Sequence, residues 1–177
     1  MIYLYPDLRF SNFAFAYHAL STARLGRELA ELGLVKAYSA FHVSYEDAGL
    51  FGLTFQANDN NLEDTMWYVM DNFVRLCHDV TDEEVERAKA SLKTTVLTMK
   101  GGADTLAEIN GSQLSSNGRV MSTAEILTRI DAVSTADVKK AANDYINDED
   151  HALAAVGPIF EMPDYNWIRR RSYYHRF

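Results

Sequence analysis

Five histidines, one cysteine and a run of acids are the side chains of this 177-residue chain that could do chemistry. The histidines are His18, His42, His78, His151 and His175, and no two stand three, four or five positions apart. A helical zinc pair needs that spacing, and neither H-E-x-x-H nor its inverse H-x-x-E-H occurs. His42 and Glu46 are four apart in HVSYED. In an extended segment that spacing puts them more than about 10 Å apart, so they do not predict a metal pair.

Cys77 and His78 are adjacent on a predicted helix, where neighbours diverge, so a buried structural thiol is expected rather than a nucleophile. A single cysteine also excludes an intrachain disulfide and a cysteine-based zinc site. GGADT follows a helix and lacks the lysine of a phosphate loop, so it reads as a helix stop. The acids Asp82, Glu83, Glu84 and Glu86 read as a solvated first helical turn. No catalytic residue, metal or cofactor is expected from these residues.

Charge points to docking. The net charge is −8, which disfavours general nucleic-acid binding. The last eleven residues, WIRRRSYYHRF, hold four arginines and no acid, leaving the rest with 13 basic against 25 acidic residues. An acidic body with a basic, aromatic end predicts a tail that docks on a neighbouring subunit. Its anchors would be Trp167, Arg169, Arg170, Arg171, Tyr173, Tyr174, Arg176 and Phe177. No apolar run approaches the roughly 20 residues of a membrane span, so no transmembrane segment of its own is expected. The N-terminal stretch resembles neither a secretory signal nor a transit peptide.

The elements that must position these residues centre on 81–146. Thr81 with Glu84 forms a capping box, Ser122 with Glu125 repeats it, and Ser134 with Asp137 offers a weaker version. The first helix places Val85, Ala88, Leu92, Thr95 or Val96, and Met99 on its buried face and ends at Gly101-Gly102. A second, from Asp104 to about Ser116, uses Leu106, Ile109 and Gln113 or Leu114. The next two use Ile126, Leu127 and Ile130, then Val138, Ala141, Ala142 and Tyr145.

Before this block, Arg24–Leu32 reads as a short helix with Leu25, Leu29 and Leu32 on one face, capped by Ser21 or Thr22 and ended by Gly33. Lys36–Tyr45 and Gly49–Ala57 form an antiparallel hairpin. A helix over 62–77 carries the stripe Leu62, Met66, Val69, Met70, Phe73 and Cys77. His151–Val156 reads as a returning strand. Residues 13, 15 and 17 alternate as a candidate edge strand, with Pro6 suited to a strand end.

The expected class is α+β, a small antiparallel sheet with helices layered on one face. The expected divisions are a poorly matched segment over 1–20, an α+β domain over 21–160 and a docking tail over 161–177. The edge of so small a sheet wants a partner.

The motifs YEDAGLFGLTFQ, VRLCHDVTDEEVERAKASLKTTVL, NGRVMSTAEILTRIDAVSTADVKKAANDYI and ALAAVGPIFEMPDYNWIRRRSYYHRF carry a resemblance. Residues 22–177 resemble the C-terminal half of processing peptidase β subunits and first core proteins of ubiquinol–cytochrome c reductase. Both belong to the pitrilysin-type inverted-zincin peptidases.

The resemblance implies two similar α+β halves. The N-terminal half holds zinc through H-x-x-E-H and a distal glutamate, and the C-terminal half is non-catalytic and helps enclose the chamber. No zinc ligand can be carried onto this sequence, and the lobe reads as N-terminally shortened. The resulting expectation is a structural, core-type subunit of mitochondrial complex III, on the matrix side of the inner membrane. It would not be an enzyme on its own, and its partner would be an N-terminal-half-like or second core-type subunit. The alternative is the non-zinc half of a split processing peptidase that cleaves presequences with a zinc-bearing partner.

Overall fold

The computed structural model describes residues 2–5, 24–44, 49–99 and 102–173. Its elements run β1 (Ile2–Tyr5), α1 (Leu25–Glu31), β2 (Val35–Ser44), β3 (Gly49–Ala57), a 3-10 turn (Asp59–Asn61), α2 (Leu62–His78) and α3 (Asp82–Thr98). They continue with α4 (Ala103–Asn117), α5 (Thr123–Asp131), α6 (Thr135–Tyr145) and α7 (Tyr165–Arg169). The sheet is antiparallel with strand order β1-β3-β2. The expected α+β architecture is the one observed.

The hairpin β2–β3 is in register from Ser44↔Gly49 to Ala37↔Gln56, with a bulge next to Val35. Alternation then decides the faces: Phe51 and Leu53 of β3 and Ala40 of β2 are buried. Helix α2 lies against them. Its Met66, Val69, Met70 and Phe73 are fully buried, and Leu62 and Cys77 complete the predicted stripe. Phe51 and Phe73 meet edge to face at 5.8 Å and 87°, a contact that adds about 1 kcal/mol beyond area burial. Helix α6 packs on α2 through Val138, Ala141 and Ala142. Its Asn143 amide donates to the Cys77 carbonyl at 2.9 Å, capturing an acceptor that the end of α2 leaves open.

Helix α1 approaches β2 so closely that a Cβ on Gly26 would sit 1.8 Å from the Tyr38 hydroxyl oxygen. Gly33 ends the turn after α1 at φ +63°, the left-handed region glycine tolerates.

The caps follow hydrogen-bonding capacity. Thr81 and Glu84 form the expected box. Ser134 and Asp137, expected to be weaker, form a complete one, with the Ser134 amide donating to Asp137 at 2.9 Å. Ser122 accepts from the Glu125 amide, but the Glu125 carboxylate turns away to pair with Arg119 and Arg129. That cap is half a box because two guanidinium groups compete for the acid and hold it well below its ordinary pKa.

Several expectations fail for identifiable reasons. Leu32 and Met99 are about half exposed, because each lies at a helix end past the last residue that touches the core. Gly102 does not end α3. It stands at the N-cap of α4, and α3 stops at Thr98. Helix α4 half-buries Ile109 and Gln113 but leaves Leu106 and Leu114 exposed, since the rest of the described fold barely touches it.

Over 151–156 the expected strand is reduced to a single β-bridge at Ala152, and Val156 is fully exposed. The third described strand is β1, which ends at Tyr5, before Pro6. Ser21 and Thr22, the alternation at 13, 15 and 17, and the hairpin turn at 45–48 lie outside the described residues. Arg24 occupies the N-cap of α1 without a capping side-chain bond, its guanidinium donating instead to Glu28 at 3.2 Å.

Candidate interaction surface

The tail folds back on its own chain. Asp164 caps α7 by accepting from the Asn166 amide at 2.9 Å, and Ile168 is fully buried. Asp148, at the end of α6, has φ +60°, unusual for a residue with a side chain. Its amide donates to the Ser172 carbonyl at 3.0 Å. The Arg169 guanidinium closes the arrangement. It donates to the Asp148 carbonyl at 2.7 Å, to the Asp148 carboxylate at 3.1 Å, to the Ser172 hydroxyl at 2.6 Å, and to Asp150. Asp150 and Asp148 raise its pKa further.

The arginine triplet therefore divides. Arg169 clasps its own chain. Arg171 stacks on Trp167 with Cζ 3.3 Å from the ring centroid, a cation–π contact, and donates to the Trp167 carbonyl at 3.1 Å. Arg170 is exposed. Tyr173 is half-buried, and Tyr174, Arg176 and Phe177 lie outside the described residues.

Sequence reasoning missed the internal use of Arg169. Its partners lie 19 and 21 residues away, so no local pattern announces them.

Among the described residues no cluster of three metal-ligating side chains forms. Cys77 is buried, donates weakly to the Phe73 carbonyl at 3.6 Å, and burial pushes its pKa up to about 12. His78 beside it is exposed. His151 is buried against the Tyr165 ring at 5.1 Å. Burial, with the charge of Arg169, pushes its pKa down to about 4. Burial also lowers the pKa of His42, on β2. His18 and His175 lie outside the described residues.

A cavity of about 30 Å³ between α1 and α2, lined by Arg24, Leu25, Asn72, Arg75 and Leu76, has room for a water molecule. Exposed large apolar side chains include Leu97, Met99, Leu106, Leu114 and Val120 in and around α4, and Val156, Ile159 and Phe160 before α7.

The fold and these surfaces can be set beside known proteins. Residues 9–92 match the peptidase M16 inactive domain. The chain belongs to the peptidase M16 family.

This M16 lobe is 41% identical over 144 residues to the probable mitochondrial-processing peptidase subunit beta of Arabidopsis thaliana, covering 81% of the chain and 27% of that relative. It is 37% identical over 148 residues to the mitochondrial-processing peptidase subunit beta of Mus musculus, covering 81% of the chain and 30% of the relative. The chain thus spans about a third or less of the length of these relatives. Its fold superposes with a TM-score of 0.88 on a chain of complex III2 from Candida albicans, solved with Inz-5 bound. That match covers 98% of this chain and 45% of the other, at 22% identity.

Zinc is the metal the family implies, and the donors are the test. Among the described residues no three His, Cys, Asp or Glu side chains converge to hold a metal ion. The described residues do not fit zinc, and no chemical step is drawn through it. Among the described residues no helix is long and apolar enough to cross a membrane.

Proposed function

We propose that this M16 lobe is a non-catalytic, structural part of a core-type subunit of mitochondrial complex III, ubiquinol–cytochrome c reductase, on the matrix side of the inner membrane. The observation that carries the reading is the superposition of 98% of the chain on a complex III2 chain. The physical content is consistent with a supporting role. The buried groups are spent on packing: Cys77 is held as a thiol, His151 is held neutral, and α2 is enclosed between sheet and α6. The exposed apolar residues around α4 and before α7 are surface of the kind that assemblies cover. The partner is an N-terminal-half-like or second core-type subunit, and the tail, on which Arg170 is exposed, contributes to its docking.

A second reading rests on the identity of 41% to a relative named as a processing peptidase β subunit. In it the lobe walls the chamber of a presequence peptidase whose zinc comes from other residues.

Native mass spectrometry of the tagged complex, with presequence cleavage assayed on the same sample, separates the two. Co-purification with cytochrome b and c₁ haems and no cleavage supports the core role. A partner carrying H-x-x-E-H, with zinc-dependent cleavage and no haem, supports the peptidase role.

A further inference from the structure

The sequence holds two Asn-Gly pairs, Asn110–Gly111 and Asn117–Gly118, and both belong to α4 or its C-terminal cap. In this dipeptide the glycine amide can attack the asparagine side chain, because glycine has no Cβ to obstruct the approach. A firmly held helix suppresses the reaction. It keeps the glycine amide hydrogen-bonded and the backbone out of the ring-closing conformation.

Helix α4 is held weakly. None of its residues with a described side chain is buried, and Ile109 and Gln113 are only half-buried. Eight of its 15 residues are Asp, Thr, Asn, Gly or Ser, the weaker helix formers. Gly102 at its N-cap supplies no side-chain bond. A helix of this length is marginal in water without tertiary packing. The neighbouring helices do not need it: α3 and α5 are joined directly by the Lys93–Asp131 pair and by the Lys89 amine, which donates to the Asp131 carbonyl at 3.4 Å. Helix α4 therefore unwinds locally with the core intact. A Cβ on Gly111 or Gly118 would meet nothing within 4 Å beyond its own helix and chain neighbours. Gly118 is the C-cap at φ +67°, and its amide donates to the Leu114 carbonyl at 3.1 Å, a terminal bond of the kind that frays first.

We infer that Asn117, and more slowly Asn110, are sites of spontaneous deamidation in the folded protein. The Gly118 amide nitrogen loses its proton and bonds to the side-chain carbonyl carbon of Asn117. The bond from that carbon to the side-chain nitrogen breaks, and ammonia leaves with the proton. Water then opens the cyclic imide at one of its two carbonyls, giving aspartate or isoaspartate. Asn110 follows by the same steps through Gly111, but its reaction requires the middle of α4 to open. Either product at 117 adds a negative charge at the C-terminal end of α4, where the helix dipole disfavours it. Isoaspartate also adds a methylene to the main chain, which breaks the bond from Gly118 to Leu114, so the reacted end of α4 unwinds.

The test ages the full chain, folded and unfolded in guanidinium chloride, side by side at mildly alkaline pH. Peptide mass spectrometry follows each asparagine, and enzymatic methylation counts isoaspartate. Asn117 in the folded chain should react within about tenfold of its unfolded rate, and Asn110 more slowly than Asn117. Asn72 and Asn143, whose side-chain amides donate to Glu28 and to the Cys77 carbonyl, are the internal standards and should stay intact. Suppression of Asn117 by more than about tenfold on folding overturns the inference.

Gly111→Ala gives an independent arm. It leaves the Asn117–Gly118 pair untouched and strengthens α4 where there is room for a methyl group. It should slow Asn117 by about twofold or more in the folded chain and leave the unfolded rate unchanged. An unchanged folded rate means that α4 does not gate the reaction, and it overturns the inference.

Discussion

Replacing Arg169 by alanine tests whether the basic tail is a self-clasp or a set of docking residues. The variant removes four donor contacts, but they are unequal. The pair with Asp150 reaches a carboxylate that is 84% exposed, where water and salt screen the charge, so it contributes close to nothing. The bonds to the Asp148 carbonyl and the Ser172 hydroxyl are more sheltered, and Ser172 is fully buried. Two such bonds from a charged donor, discounted for the partial exposure of Arg169, are worth about 2–3 kcal/mol together. Asp148 would also lose what holds it at φ +60°, so part of the loss appears as fraying of the turn after α6. For a domain of this size 2–3 kcal/mol lowers Tm by about 4–12 °C.

The assay is thermal and urea unfolding of Arg169→Ala beside Arg170→Ala, with partner capture measured on both. The clasp predicts a large Tm loss for Arg169→Ala and almost none for Arg170→Ala. An Arg169→Ala protein with unchanged Tm that fails only in capture would refute the reasoning.

Other perturbations bear on the same structure. Leu92→Asp places a charge where α3 packs against the core, and should cost about 2–3 kcal/mol and lower the yield of assembled complex; normal assembly would show that α3 is misplaced. Ser134→Ala removes the capping box of α6 and should cost about 1 kcal/mol in urea unfolding, with no change in m-value.

His151 makes stability depend on pH. Its folded pKa is depressed to about 4 from 6.5, so the unfolded chain protonates first. Stability is flat at higher pH and falls as pH drops from about 6.5 to about 4, by at most about 1.4 kcal/mol per pH unit, then levels off. His151→Phe should lose that window, and identical urea midpoints at about pH 5 for both proteins, normalised to about pH 7, would contradict it.

The parts legible in the sequence are those set by local spacing. The stripe from Leu62 to Cys77 reads directly because α2 is flanked by sheet and helix, so its period of burial is complete. The hairpin and the Thr81 box are equally local. Legibility fails where a residue's fate depends on what lies across space. Met99 and Leu114 continue an apolar pattern past the point where the core has any surface to offer. Residues 151–156 have strand composition, but pairing is reduced to a bridge at Ala152, and composition does not set how far a ladder runs. The Ser122 box is lost to Arg119, a competitor three residues before the cap. Arg169 belongs to this group too, because the turn at Asp148 brings its acceptors to it.

The central claim is that this M16 lobe supports an assembly without carrying its chemistry. The direct test is a presequence-cleavage assay on the purified chain alone, with and without added zinc, followed by the same assay on the intact native complex and metal analysis of both. The account predicts no zinc retained and no cleavage by the chain alone, with any activity confined to complexes that contain an H-x-x-E-H partner. Zinc-dependent cleavage by the isolated chain would contradict it.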